Sequence, residues 1–242
     1  MKIIASDYDG TLSYNGKISD EDKLAIKRFR EAGNKFGIVT GRDVELASWI
    51  RPKDGLELDF VICCTGAVIK DENGKIIYKK SGEVGEFFNE IIKKAISLNA
   101  DCFAISDILY KCYIDVSENI PTDLSRMSEF THANCGFSSE QKAIEFVDYV
   151  NANFSDKISI HRNGRNVDMP PMGISKVTGI YEYAKSFKNA EIYTVGDNMN
   201  DLSMLLEFDG YAVSNANEKV IELAKHRCNR ICDMIEELLK GE

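Results

Sequence analysis

The amino-acid sequence predicts an α/β protein in which an α+β domain is inserted into a doubly wound, Rossmann-like parallel sheet. Three observations support this fold class. Early in the chain, short apolar runs alternate with amphipathic helical segments, the pattern of a parallel sheet with crossover helices. In the middle, two Asn-Gly turns stand between short strand-like runs. The alternation of helix and strand then returns in the C-terminal part of the chain.

The first predicted strand begins at Ile3 and ends in two acidic residues, Asp7 and Asp9, followed by Gly10 and Thr11. Short apolar runs are typical of buried parallel strands, and ligands bind beyond the carboxyl ends of such strands. On an extended segment, side chains two residues apart point to the same side, so both carboxylates can face one site. Their repulsion calls for a cation or a shared proton, and Mg²⁺ is the expected cation. The alternative is a surface turn, since Asp and Gly are common turn residues.

The next elements continue the alternating pattern. A helix with Ser19 as its N-cap and acids in its first turn ends near Gly33. A strand at Lys35–Val39, a helix over Val44–Ile50 and a strand at Phe60–Cys64 follow. Strand, helix, strand, helix and strand in this order indicate the doubly wound parallel sheet.

The middle of the chain has a different pattern, with Asn73-Gly74 and Asn163-Gly164 as hairpin turns. Its other predicted elements are a helix containing Val84, Phe87, Phe88, Ile91, Ile92 and Ala95, strands at Cys102–Ile105 and Leu109–Ile114, a helix at Glu140–Asn153, and strands at Ile158–Ile160 and Val167–Met169. We therefore expect residues 81–169 to form an inserted α+β cap domain, and residues 1–80 with 170–242 to form the core.

After Pro170-Pro171, the helix and strand pattern of the core resumes. A helix is predicted at Ser175–Ser186 and a strand at Glu191–Val195, which ends in the acid-rich loop Gly196–Asp201. Tyr211–Val213 is the next predicted strand. The acid-rich loop thus follows a strand, as the first pair of acids does.

Composition limits the classes of function. The 242 residues are 44% hydrophobic and carry a net charge of −9, which disfavours nucleic-acid binding through a basic face. No apolar stretch approaches the ~20 residues of a membrane span, and the first residues lack the apolar run of a signal peptide. The seven cysteines are odd in number and form no CxxC, so we expect reduced thiols and a cytoplasmic location.

Two further segments can contribute to a site for an anion. Thr40-Gly41-Arg42 follows a strand, where a hydroxyl and backbone N–H groups can bind an anion; ordinary N-capping by Thr40 is the alternative. Lys176 lies at a predicted helix start, a position that the helix dipole disfavours for a cation. A role in contacting an anion would explain that position, and a solvated lysine is the alternative. For Gly196–Asp201, the choice is between a divalent-cation site and a polar loop that caps the next helix.

Together these segments resemble the haloacid dehalogenase superfamily, and within it the Cof-type phosphatases of sugar phosphates and cofactors. The motifs in order are Asp7-x-Asp9-Gly10-Thr11, Thr40, Lys176 and Gly196-Asp197-x-x-Asn200-Asp201. The resemblance covers nearly the whole chain, and that subfamily carries its cap between the second and third motifs. One departure is Thr65-Gly66-Ala67, where relatives often have Asn-Gly-Ala, so the contact that the Asn would make is absent or replaced here.

The resemblance implies that Asp7 attacks phosphorus and forms an aspartyl-phosphate. It implies that Asp9 gives a proton to the leaving oxygen and later takes one from water. The implied Mg²⁺ ligands are Asp7, the backbone carbonyl of Asp9 and Asp197, with Asp201 as a further ligand or as a hydrogen-bond partner of the ligands. The residues expected to contact the phosphoryl group or substrate are Thr40, Gly41, Arg42, Lys176 and Asn200.

The basic hairpin His161–Arg165 offers Arg162 and Arg165 as contacts for a polar or anionic substrate, with a solvated hairpin tip as the alternative. The expected partner is a small phosphorylated metabolite, with no nucleic acid, membrane or obligate protein partner. The expected activity is a Mg²⁺-dependent phosphatase that acts on small phosphate monoesters.

Three other functions remain open from the sequence. A phosphomutase shares the DxDGT start, and a non-catalytic binding protein could keep the same fold. A phospho-receiver module also uses an acidic cluster, a Thr and a Lys. In a receiver, the phosphorylated Asp normally follows a middle strand without a second acid two residues later, so Asp9 and the large insertion argue against it.

Overall fold

The protein forms two compact units in the computed structural model, which describes residues 1–50, 55–114, 116 and 124–240. Unit 1 comprises Met1–Tyr78 and Lys176–Glu242, and unit 2 comprises Lys79–Ser175. The sequence placed the corresponding boundaries after residues 80 and 169. That unit 2 acts as a cap selecting the substrate stays a prediction.

Unit 1 is built on a mixed, mostly parallel sheet. Its strands, numbered along the chain, are β1 (Lys2–Ser6), β2 (Lys35–Val39), β3 (Phe60–Cys63), β4 (Val68–Asp71), β5 (Ile76–Lys79), β13 (Glu191–Gly196), β14 (Asp209–Val213) and β15 (His226–Cys228). Their order is β15-β14-β13-β1-β2-β3-β4-β5. The strands from β15 to β3 are parallel, and β4 pairs antiparallel with β3. The chain moves outward from β1 in one direction and then continues on the other side at β13, which confirms the doubly wound fold.

Helices connect these strands. They are α1 (Asp20–Glu31), α2 (Val44–Ser48), α5 (Lys176–Ala184), α6 (Leu202–Glu207), α7 (Glu218–Leu223) and α8 (Ile231–Lys240). A short 3₁₀ turn, Cys64–Gly66, follows β3. Helix α1 packs against α8, whereas α5 packs against α6 and the 3₁₀ turn.

Helix α1 shows how local sequence sets an element. The Ser19 hydroxyl accepts the backbone N–H of Asp22 at 3.0 Å and so caps the helix. Ala25 and Phe29 bury the apolar face, and Gly33 ends the helix with a φ of +86°. The predicted cap and end of this helix are confirmed. Of the residues predicted for its apolar face, Ala25 and Phe29 are buried, whereas Leu24 and Ala32 are exposed and Ile26 takes part in the face instead.

Unit 2 is an α+β arrangement. Its elements are β6 (Gly82–Glu83), α3 (Phe87–Ser97), β7 (Ala100–Ser106), β8 (Lys111–Ile114), β9 (Glu129–Phe130), β10 (His132–Phe137), α4 (Glu140–Phe154), β11 (His161–Asn163) and β12 (Asn166–Met169). The main sheet is antiparallel in the order β11-β12-β10-β7-β8, and β6 pairs with β9. Fully buried phenylalanines, among them Phe88, Phe103 and Phe146, fill its core.

Three predicted elements of unit 2 differ from the structure. The predicted strand Ile158–Ile160 is wrong: the two-residue loop between Asn163 and Asn166 places the hairpin strand at His161–Asn163. Ile158 instead forms an isolated bridge with Pro171. Strand β8 begins two residues later than predicted, after the exposed Leu109, and Val84 precedes α3 rather than lying in it.

Candidate active site

The candidate site forms where β1, β2 and β13 end. Asp7 follows β1, Thr40 follows β2 and Asp197 follows β13. The backbone N–H of Asp7 donates to the carbonyl of Val195 at 2.9 Å, and that of Thr40 donates to Ile62 at 2.8 Å. Because these neighbouring strands are parallel, their carboxyl ends meet at one edge of the sheet.

Lys176 is the buried cation of this site. Its Nζ lies 2.5 Å from Oδ1 of Asp7 and 2.5 Å from Oδ1 of Asp201, and its side chain is 2% exposed. Burial alone would lower the pKa of Lys176, but the charges of Asp201 and Asp7 outweigh it and raise the pKa above its ordinary value. Lys176 is the first residue of α5, as predicted. It is a buried ion-pair partner and not a solvated surface lysine.

Three carboxylates surround this lysine. Asp7, Asp197 and Asp201 each offer an oxygen within 4.8 Å of the others. Burial raises the pKa of Asp7, the charge of Asp201 raises it further, and Lys176 opposes both. Burial likewise raises the pKa of Asp197 to about 6. One lysine therefore leaves excess negative charge, and the all-oxygen donor set fits a hard divalent cation.

Asp201 organises the acid-rich loop. Its Oδ2 accepts the backbone N–H groups of Asp197 and Asn198, both at 3.1 Å, while its Oδ1 accepts from Lys176. The side chain makes no capping bond to α6, which it precedes. Both oxygens are engaged within the protein, which favours a role in orienting the neighbouring carboxylates over direct coordination of a metal.

Residues of the loop after β1 contact the Asp197 carboxylate. The hydroxyl of Thr11 donates to Oδ1 of Asp197 at 2.8 Å. Gly10 has a φ of +88°, and a Cβ there would lie 2.5 Å from Oδ2 of Asp197. The glycine is therefore required both by its backbone conformation and by the close approach of the carboxylate.

The loop after β2 is not a helix cap built by Thr40. Asp43 caps α2, because its Oδ1 accepts the backbone N–H of Leu46 at 2.8 Å. The Thr40 hydroxyl accepts the backbone N–H of Arg42 at 3.2 Å, which leaves its own hydrogen to donate to a ligand. The neighbouring Gly41 is partly buried. This geometry removes the capping alternative for Thr40.

Asp9 and Arg42 form an ion pair that sequence reasoning missed. Nε of Arg42 donates to Oδ2 of Asp9 at 2.8 Å, and Nη2 donates to Oδ1 at 2.6 Å. The guanidinium carbon lies 4.8 Å from the centre of the Tyr8 ring. A side-chain pair between two loops has no periodic pattern in the sequence, so only the shared sheet edge could have suggested it.

Other predicted site residues have distinct surroundings. The Oδ1 atom of Asn200 is buried without a hydrogen-bond partner among the described residues. Arg162 and Arg165 lie in unit 2, where Arg162 donates to the carbonyl of Gly164 at 2.8 Å and Arg165 to that of Ser138 at 3.4 Å. Arg162 also forms an ion pair with Glu140 of α4, so these contacts of both arginines lie within unit 2.

A turn after β3 braces the Thr40 loop, and it was not predicted. The N–H of Thr65 donates to the carbonyl of Thr40 at 3.1 Å, and the N–H of Cys64 donates to that of Arg42 at 2.8 Å. Thr65 adopts a left-handed conformation with a φ of +56°. Its Oγ1 is buried and lacks a hydrogen-bond partner among the described residues. The departure from Asn at this position was the signal in the sequence.

The loop after β14 also contacts the site. The side-chain amide of Asn215 donates to the carbonyl of Gly10 at 2.8 Å. The backbone N–H of Asn217 donates to the carbonyl of Asp197 at 2.8 Å. This loop therefore supports both acidic loops, and its position after a fourth parallel strand could have identified it.

No helix within the described ranges is long and apolar enough to cross a membrane.

Comparisons with known proteins agree with this fold. A search of curated proteins finds no match. Among solved structures, a haloacid dehalogenase-like hydrolase from B. subtilis is 20% identical with a TM-score of 0.82, covering 98% of this chain and 100% of that one. A phosphatase of the haloalkanoate superfamily from Bacteroides thetaiotaomicron is 23% identical with a TM-score of 0.75, covering 99% and 94%. A subclass IIB sugar phosphatase of the superfamily is 19% identical with a TM-score of 0.75, covering 100% and 99%.

At these identities the solved structures show the shared fold. The family model of the haloacid dehalogenase-like hydrolases matches residues 4–233, which is nearly the whole chain. Members of this family generally use a divalent metal, and the cluster of Asp7, Asp197 and Asp201 can bind one. The chain therefore belongs to the haloacid dehalogenase-like hydrolases, which confirms the resemblance found in its sequence motifs.

Proposed function

We propose that this protein is a Mg²⁺-dependent phosphatase that hydrolyses small phosphate monoesters through an aspartyl-phosphate. The observation that carries the proposal is the buried Lys176, which joins Asp7 to Asp201 beside Asp197 at the carboxyl ends of the parallel strands. A buried nucleophile, a cation and a cluster of carboxylates are the parts that phosphoryl transfer needs.

Asp7 is the proposed nucleophile. Lys176 holds Oδ1 of Asp7, which fixes the orientation of the carboxylate and leaves Oδ2 to attack phosphorus. Burial favours the protonated form of Asp7, so an ionised nucleophile depends on the cations around it. Lys176 is one of these cations, and a metal ion would supply the remaining positive charge.

The proposed metal ligands are Asp7, the backbone carbonyl of Asp9 and Asp197, with Asp201 holding the loop. Bound there, Mg²⁺ would neutralise the carboxylates and the charge of the phosphoryl group. The oxygen donors suit hard divalent cations in general, and the choice of Mg²⁺ among them rests on the family resemblance.

The phosphoryl group is expected to contact Thr40, Gly41, Lys176 and Asn200. The Thr40 hydroxyl has a hydrogen to donate, and the side-chain amide of Asn200 can supply N–H donors. Donors aimed at the phosphoryl oxygens stabilise the charge that moves onto them in the transition state.

Asp9 is the proposed acid and base. As the bond from Asp7 to phosphorus forms, the ester P–O bond breaks and Asp9 gives its proton to the leaving oxygen. Water then attacks the phosphorus of the aspartyl-phosphate and gives a proton to the Asp9 carboxylate. The bond to Asp7 breaks, inorganic phosphate leaves, and both carboxyl groups return to their starting states.

The proposed substrates are small phosphate esters such as sugar phosphates. One structural relative is a sugar phosphatase, and the net charge of −9 disfavours binding of a polymeric anion through a basic face. Arg162 and Arg165 remain candidate contacts for the leaving group. Cytoplasmic location remains part of the proposal.

The test is turnover of an aryl phosphate and of a panel of sugar phosphates, with Mg²⁺ and with excess chelator. We expect release of inorganic phosphate that requires Mg²⁺, is lost in Asp7→Asn and is retained in Arg28→Gln. Arg28 forms an exposed ion pair with Glu236, and its substitution controls for removing a charge elsewhere in unit 1. Full activity in chelator would refute the metal assignment. An isomeric phosphate ester as product, without free phosphate, would indicate a mutase.

A further inference from the structure

The pair of Asp9 and Arg42 is unusual for a surface ion pair. The two side chains share two hydrogen bonds, of 2.8 Å and 2.6 Å, in a bidentate arrangement. Asp9 is 58% exposed and Arg42 is 32% exposed, so a substrate can reach both groups. Exposed ion pairs contribute little to stability, so the fold alone gives little reason for this geometry.

Both the backbone and the guanidinium group of Arg42 are held in place by neighbouring residues. Its backbone N–H donates to the Thr40 hydroxyl and its carbonyl accepts the N–H of Cys64. Its guanidinium lies over the ring of the buried Tyr8, which is adjacent to Asp9 in the chain. The backbone hydrogen bonds and the contact with the Tyr8 ring restrain the guanidinium, which holds the Asp9 carboxylate through two hydrogen bonds.

We propose that Arg42 is a positioning residue that orients the carboxyl group of Asp9 for proton transfer to the leaving oxygen. The inference rests on the proposed function, in which Asp9 is the acid and base. The two oxygens of a carboxylate together have about four lone-pair sites. The two N–H groups of Arg42 occupy one site on each oxygen of Asp9, so the remaining sites can carry the transferred proton. The planar guanidinium fixes the plane of the carboxylate, and a lysine ammonium, as a point charge, would not.

Direct binding of the phosphoryl group by Arg42 is the competing explanation. In that case its loss would weaken binding of every phosphate ester and of inorganic phosphate. A positioning role affects only the step that needs a proton. An alkyl ester has a poor leaving group and needs that proton, whereas an aryl oxide leaves readily without one. The leaving group therefore separates the two explanations.

The experiment measures single-turnover release of the leaving group, and KM, for an alkyl and an aryl phosphate with Mg²⁺. The variants are Arg42→Lys, Asp9→Asn, the double variant and Arg28→Gln as the matched control. We expect Arg42→Lys to slow the alkyl ester on the order of tenfold to hundredfold, the size of effect that misplacing a reacting group by about 1 Å produces. For the aryl ester, the rate of leaving-group release and the KM should be nearly unchanged in this variant. Inhibition by inorganic phosphate should also be nearly unchanged.

The double variant gives the decisive comparison. If Arg42 acts through Asp9, Arg42→Lys should cause no further loss when Asp9 is already Asn. Equal loss on both esters, a raised KM for both, or additive losses in the double variant would overturn the inference. If Asp9→Asn itself shows no dependence on the leaving group, the proposed role of Asp9 fails instead, so the two failures can be told apart.

Discussion

At the scale of single residues, Thr65 carries two features that cost stability. It is a β-branched residue at a φ of +56°, and its hydroxyl is buried without a partner among the described residues. Left-handed backbone is strained for such residues, and strain of this kind concentrates at functional sites. Here the strained turn donates to the carbonyl of Thr40, which places the strain next to the loop proposed to bind phosphate.

Replacing Thr65 with Val should stabilise the protein. The change keeps the branched shape and removes a buried hydroxyl, whose desolvation costs about 1–3 kcal/mol when it is unpaired. We expect the free energy of unfolding to rise by about 1 kcal/mol in urea denaturation. Thr65→Ser, which keeps the hydroxyl and loses the methyl group, is the matched control and should be destabilised. A less stable Val variant would show that the hydroxyl is hydrogen-bonded in solution.

The site residues that the sequence could predict are those whose chemical type and whose position at the end of a strand or the start of a helix both indicate a function. Asp7, Asp197 and Lys176 stand out as charged residues at strand ends or a helix start. The Asp9–Arg42 pair and the Asn215 contact depend on how loops fold, and no spacing in the sequence encodes them. Thr65 lies between these cases, because its departure from Asn was visible but its conformation was not.

At the scale of elements, the packing of α5 against the turn after β3 determines where Lys176 lies in the site. The helix begins with Lys176, and Gly179 on its next turn faces the 3₁₀ turn after β3. A Cβ at Gly179 would lie 2.8 Å from the Cα of Gly66 and 2.8 Å from Cγ2 of Ile62. The helix can approach the turn this closely only because residue 179 is a glycine.

Gly179→Ala should therefore destabilise the protein and reduce activity together. Overpacking costs about 1–3 kcal/mol, which exceeds the gain in helix propensity of about 1 kcal/mol. Displacement of α5 would also move the Lys176 ammonium away from Asp7 and lower kcat. Denaturant unfolding and turnover of an aryl phosphate provide the measurements. Lys27→Ala on the exposed face of α1 is the control, and an unchanged kcat in Gly179→Ala would contradict the link between α5 packing and the site.

Element prediction succeeded where the hydrophobic pattern was clear. Strands β1, β2 and β13 are apolar runs that end in polar loops, and their positions follow from that pattern. Strand β10 is central in its sheet, yet His132, Asn134 and Gly136 interrupt its apolar character, so it was not assigned. The short edge strand β15 contains His226 and Arg227 and was missed for the same reason.

At the scale of the whole molecule, we expect the stability of the folded protein to depend on pH and on metal binding through the cluster of Asp7, Asp197 and Asp201. The folded-state pKa of Asp197 is raised from 3.8 to about 6, so the folded protein binds more protons than the unfolded chain between these values. Stability without metal should therefore fall as pH rises through this window. The raised pKa of Asp7 extends the same trend to higher pH.

Asp197→Asn should remove part of this pH dependence. Without metal, the variant should be more stable than the wild type at pH 8, because a buried negative charge is gone. Mg²⁺ should stabilise the wild type by about 2.7 kcal/mol at 100 times its Kd, and the variant far less. Thermal unfolding at pH 5 and pH 8, with and without Mg²⁺, measures both effects. Equal stabilisation of the two proteins by Mg²⁺ would remove Asp197 from the metal site.

The most direct test of the account is the covalent intermediate on Asp7. Asp9→Asn keeps the backbone carbonyl but cannot transfer a proton, and general acid–base assistance typically contributes ~10²–10⁴-fold. With an aryl phosphate and Mg²⁺, attack by Asp7 should continue while water attack on the aspartyl-phosphate becomes slow. Rapid mixing should give a burst of aryl oxide, and mass spectrometry of the quenched protein should locate one phosphoryl group on Asp7. Asp7→Asn should show neither, and turnover by Asp9→Asn without any phosphorylated protein would contradict the proposed mechanism.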